Sequence, residues 1–132
     1  LFITLHQVKA EDLQKVPLTL AEKVWIQDHQ QLVVGGSPDW APFNFADKQG
    51  HYQGVAWDYL QLVAKNTGLT YRVVIDEWHT NLERAKSNQV HILGAVYKTD
   101  EREGFLNFSQ PYFEALDYFF IRNDLQVNSF ED

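Results

Sequence analysis

Three short apolar runs separated by stretches of helical periodicity constrain the fold of this chain more than any other feature. The runs are Leu32-Val33-Val34-Gly35, Tyr71-Arg72-Val73-Val74-Ile75 and the segment from Val90 to Val96. Between the first two, Ala56, Leu60, Val63, Ala64 and Thr67 recur at i, i+4, i+7, i+8 and i+11, the stripe of a helix packed on a sheet. Gly68 follows where a left-handed cap would end that helix. Between the second and third runs, Asn81 to Ser87 predicts a shorter helix around Leu82 and Ala85. The order β-α-β-α-β with short links implies an α/β fold with a parallel sheet and right-handed crossovers.

Other elements surround this unit. Thr19-Leu20-Ala21-Glu22 has the form of a capping box, which predicts a helix to about His29. Asp47-Lys48-Gln49-Gly50 reads as the turn of a small hairpin. Pro111-Tyr112 precedes a last aromatic-rich strand expected from Asp117 to Arg122. Residues 1–10 admit two readings. Leu1-Phe2-Ile3-Thr4-Leu5 with Val8-Lys9-Ala10 fits the tail of a signal peptide cleaved before Glu11, and it fits an alternating strand equally well.

In open α/β sheets, ligands sit outside the carboxyl ends of the strands. That rule selects three loops: Ser37-Pro38-Asp39-Trp40-Ala41-Pro42-Phe43, Glu77-Trp78, and Tyr97-Lys98-Thr99-Asp100-Glu101-Arg102. Arg102 offers a planar fork of donors that matches a carboxylate and keeps its charge. A helix starting near Thr99 would turn backbone N–H groups toward the same anion. Trp40 and Trp78 offer aromatic faces, and Tyr97 lies on the same rim. Spacing alone leaves open that Arg102 is solvated beside Asp100 and Glu101, and that each tryptophan is ordinary packing.

Composition narrows the partners. A formal net charge of -7 with scattered basic residues argues against nucleic acid, which needs clustered Lys and Arg. The absence of cysteine rules out a disulfide framework, a thiolate nucleophile and a Cys-based zinc site. His6, His29, His51, His79 and His91 show no metal-ligand spacing, and no cofactor is expected. Gly35-Gly36-Ser37 lacks the later Gly-Lys of a phosphate loop, and no serine has nucleophile-elbow glycines. No apolar run reaches the roughly 18 residues that span a bilayer.

The run Val34-Gly35 through Pro38-Asp39-Trp40-Ala41-Pro42-Phe43-Asn44-Phe45, with Gly50-His51-Tyr52-Gln53-Gly54, resembles the bacterial extracellular solute-binding proteins of family 3. So do Asp58-Tyr59-Leu60, Thr67-Gly68-Leu69, Thr99-Asp100-Glu101-Arg102 and Phe108-Ser109-Gln110-Pro111-Tyr112. The likeness runs over residues 19–132 and implies a periplasmic, two-lobed Venus flytrap that closes on an amino acid or related solute. By position, Arg102 matches the arginine that holds the solute's α-carboxylate, and Trp40 and Trp78 match the aromatic positions that sandwich it. Ser37 stands at a place that is often acidic. Ala95 and Tyr97 stand where amino-acid binders commonly carry Gly and Thr, a departure that favours a carboxylate solute over a standard α-amino acid.

The Pro-Asp-Trp-Ala-Pro-Phe wording is more similar to sensor modules of signal-transduction receptors than to the binding components of amino-acid transporters, which are the alternative. A dehydratase-type enzyme of the same fold is the less favoured class, because no acid–base pair is placed in the crevice. By the resemblance, residues 11–132 form lobe 1, with 117–132 the hinge strand and the start of the connection to a missing second lobe. One face of a clamp buries too little of a solute to bind it tightly, and that uncovered face is an expected self-association surface.

Overall fold

The computed structural model describes residues 16–29, 31–114, 118 and 120–126. The readings made for residues 1–10 lie outside the described residues. Helix α1 (Leu20–Asp28) opens with the expected capping box: Thr19 Oγ1 accepts from the Glu22 N–H, and the Thr19 N–H donates to Glu22 Oε2 at 2.7 Å. None of its residues is buried.

Strand β1 (Gln31–Gly36) is the spine of the fold. Strand β2 (Asp39–Trp40), strand β3 (Asn44–Ala46) and strand β4 (Tyr52–Gln53) follow as a small antiparallel sheet in the order β2-β3-β4. The predicted Asp47–Gly50 turn joins β3 to β4, with Gly50 at φ +83. The pairing of Trp40 with Asn44 folds the first rim loop back on itself.

Helix α2 (Val55–Thr67) ends on the left-handed Gly68, as its periodicity predicts. Its start is tied to the first rim loop, because the Val55 and Ala56 N–H groups donate to the carbonyls of Pro42 and Phe43 at 3.0 and 2.9 Å. Gly54 makes this approach possible: its φ is +117, and a Cβ there would meet Phe43 O at 2.5 Å. Strand β5 (Thr70–Ile75) pairs parallel with β1 along its whole length, from Gln31↔Thr70 to Gly36↔Ile75.

Helix α3 (Trp78–Lys86) begins three residues earlier than the predicted Asn81. The cause is long-range. Asn81 is 1% exposed, and its side-chain amide donates to Gly36 O at 2.9 Å and Asp76 O at 3.1 Å. A polar side chain at that point looks like a boundary in one dimension, yet it anchors the first turn to the ends of β1 and β5.

Strand β6 (Ile92–Leu93) completes the parallel sheet in the order β5-β1-β6, so the α/β class and the parallel pairing stand. It is shorter than the predicted Val90–Val96. On one side His91 interrupts the ladder, since the Val33 N–H donates to its Nδ1 at 3.0 Å. On the other, the Gly94 carbonyl accepts the Tyr112 hydroxyl. Helix α4 (Asp100–Glu103) is a single turn. The strand expected over Asp117–Arg122 is not formed by its described residues, Tyr118 and 120–122. These side chains are exposed, with Phe120 at 96%, and Arg122 pairs locally with Asp124.

Burial explains why β1 sits in the middle. Val34 is fully buried and Leu32 nearly so, joined by Tyr52, Ala56 and Val90. A Cβ at Gly36 would lie 2.6 Å from the Tyr52 ring, so the glycine lets the small sheet close onto β1. Among the described residues, no helix is long and apolar enough to cross a membrane.

Candidate functional site

The carboxyl ends of β1, β5 and β6 share one edge because the three strands are parallel neighbours. A crevice of about 330 Å³ opens there, lined by Ser37, Asp39, Trp40, Trp78, Ala95, Val96, Tyr97 and Arg102. Six of the seven residues expected at the site line it. Thr99 does not; its hydroxyl caps α4 by accepting from the Arg102 N–H at 3.3 Å.

Identifiable contacts position Ser37, Trp40, Trp78 and Arg102. The Ser37 N–H donates to Asn44 Oδ1 at 2.9 Å, and Asn44 is 3% exposed, so β3 pins the chain as it leaves β1. Trp40 packs on Phe43 at 5.1 Å between ring centroids and faces Tyr97 at 6.1 Å. Phe43 in turn meets Phe113 edge-on at 4.9 Å. Trp78 starts α3, whose first turn Asn81 anchors.

Arg102 is half-buried, and its Nη1 donates to Tyr97 O at 2.7 Å. Its guanidinium carbon lies 5.3 Å from the centroid of the Trp78 ring. Two nearby charges are already paired, Lys98 with Glu103 at 2.7 Å and Arg84 with Asp76 at 2.9 Å. Among the described residues, no carboxylate stands within ion-pair distance of Arg102. The crevice therefore presents one cation, Arg102, and one carboxylate, Asp39, beside three aromatic rings.

Sequence reasoning passed over Asp39 and Val96 as lining residues, although Asp39 lay inside the first rim loop. It also passed over Asn44 and Asn81, the buried amides that hold the rim. No local pattern marks either amide: Asn44 meets a partner 7 residues away, and Asn81 meets one 5 and one 45 residues away. His51 Nδ1 lies 3.2 Å from Asp47 Oδ2 on the exposed hairpin turn. Among the described residues, no group of three His, Cys, Asp or Glu could hold a metal ion.

A crevice that sets an arginine among aromatic rings on the carboxyl edge of a small parallel sheet fits a solute-binding lobe of the periplasmic-binding-protein type. The chain belongs to the bacterial extracellular solute-binding proteins, family 3, whose model matches residues 32–127. It is 29% identical over 112 residues to the virulence sensor protein BvgS of Bordetella pertussis, covering 84% of this chain and 8% of that protein. Among solved structures it is similar to the periplasmic VFT2 domain of Bordetella pertussis BvgS, with 26% identity and a TM-score of 0.67, over 74% of this chain and 42% of that one. It is also similar to the arginine-bound form of domain 1 from TmArgBP, with 27% identity and a TM-score of 0.61, over 69% of this chain and 71% of that one. The chain is thus a family 3 solute-binding unit of Venus flytrap type, and it spans 42% of the solved VFT2 domain and 8% of the full-length sensor relative.

Proposed function

We propose that this chain is the ligand-binding lobe 1 of an extracytoplasmic sensor that recognises a small carboxylate-bearing, amino-acid-like solute for a signal-transduction receptor. The observation that carries the reading is the meeting of Arg102 with Trp40, Trp78 and Tyr97 in one crevice. The guanidinium takes the carboxylate through paired N–H donors, and the rings enclose the solute's apolar body. Ser37 and Ala95 also line the crevice. The role is binding without catalysis. The match to domain 1 of TmArgBP, over 69% of this chain, supports reading residues 11–132 as a lobe-sized unit.

In this reading a second lobe closes over the rim, and the closed state's additional contacts set the signal. Until it is covered, the same face is where copies of the chain would associate. The arginine-bound relative supports a second reading, the binding component of an amino-acid transporter, which uses the same site with a different downstream partner.

Calorimetric screening of amino acids and small carboxylates against a two-lobe form tests the proposal. Arg102→Ala is expected to cost ~2–5 kcal/mol of binding for the solute found, as loss of one partner of a buried charge pair does. Unchanged affinity in that variant would remove Arg102 from the site.

A further inference from the structure

We infer that Trp78 is a positioning residue for Arg102: it holds the guanidinium ready for a carboxylate and acts on the solute through that group. The inference rests on the carboxylate reading above and changes the role of one residue within it. A guanidinium 5.3 Å from an indole centroid is a cation–π contact, so the face that Trp78 turns toward Arg102 is already occupied. The backbone that carries the indole is itself anchored, because Trp78 begins α3 and Asn81 ties that turn to Gly36 and Asp76.

The second constraint on Arg102 comes from its edge. Nη1 donates to Tyr97 O at 2.7 Å. One contact on the face and one on the edge define the plane of the group. Nε and Nη2 have no acceptor among the described residues, and together they form the side of the fork that receives two carboxylate oxygens. An arginine side chain has many rotamers, and fixing it before binding removes that ordering cost from the association step. The wall that touches the solute body is then Trp40 with Tyr97, whose rings stand 6.1 Å apart.

Acetate separates a positioning role from a wall role, because it engages the guanidinium and has almost no body for a wall to hold. A two-lobe form is titrated with acetate and with hexanoate while the Arg102 Nε–Hε resonance is followed by NMR. Trp78→Leu is expected to weaken both probes by the same factor of about fivefold, which is ~1 kcal/mol and the ordinary worth of a cation–π contact. Trp78→Phe, which keeps an aromatic face, is expected to recover most of that loss. In the unsubstituted chain the same proton is expected upfield of its free-arginine position, through the ring current of the indole.

Acetate affinity unchanged in Trp78→Leu with hexanoate weakened would overturn the inference and make Trp78 a wall. A free-arginine shift in the unsubstituted chain would overturn it as well. An Arg102 resonance that acetate does not move in the unsubstituted chain sinks the carboxylate reading itself, and the inference with it.

Discussion

Replacing Asn81 tests whether one buried amide holds the rim of the crevice together. The side chain is 1% exposed and donates to two carbonyls, at the ends of β1 and β5. Each such bond contributes ~0.5–1.5 kcal/mol net. Gly36 O keeps a second donor, the Asp76 N–H at 3.0 Å, so its loss falls at the low end of that range. Asn81 Oδ1 has no partner among the described residues, and removing it returns part of the cost. The void left by the side chain adds on the order of 1 kcal/mol. Asn81→Ala is therefore expected to destabilise the domain by ~2–3 kcal/mol.

Asn81→Asp should be worse at neutral pH, because it sets a carboxylate against two carbonyl oxygens. Burial there raises the new carboxyl's folded-state pKa above its unfolded value. Stability relative to neutral pH is then recovered as pH falls through that folded value, when the acid can donate to one carbonyl. Urea denaturation followed by tryptophan fluorescence at neutral and acid pH measures both variants. An Asn81→Ala loss below ~0.5 kcal/mol, at the level of an ordinary surface change, would refute the anchoring role.

Two further expectations follow from the same packing. Gly54→Ala forces a side chain into a conformation close to glycine-only and against the Phe43 carbonyl. A loss of at least ~2 kcal/mol is expected in the same urea assay, and a neutral result would mean that α2 and the first rim loop are not coupled there. The Tyr52 hydroxyl is buried without a partner among the described residues, and burial pushes its phenol well above the usual tyrosine range, with the nearby Tyr112 adding to the effect. A raised phenol pKa contributes stability that is fully present below the unfolded value of about 10 and lost as pH rises beyond it. Tyr52→Phe should leave neutral-pH stability unchanged or slightly higher and flatten the alkaline loss, which circular dichroism over an alkaline titration would show.

Local chemistry was legible wherever its partners lie within one turn or one strand. The Thr19–Glu22 box, the α2 helix with Gly68 behind it and the Asp47–Gly50 turn all formed as read, whereas Val63 of the α2 stripe is exposed. The rim was legible for a different reason: parallel strands force their carboxyl ends onto one edge, so naming the strands named the loops. What failed was anything decided across the sheet. The third strand reads as seven apolar-rich residues, and it stops at two because a histidine ring takes one ladder donor and a tyrosine hydroxyl takes the next carbonyl.

The sequence by itself determined the α/β class, the parallel pairing and a shared rim bearing Arg102, Trp40, Trp78 and Tyr97, because periodicity and turn chemistry act over a few residues. Tertiary structure alone decided that Asp39 faces the crevice and that the Arg102 guanidinium lies against Trp78. Those outcomes depend on which distant donors and acceptors meet when β1 is buried. A one-dimensional pattern carries no record of such meetings.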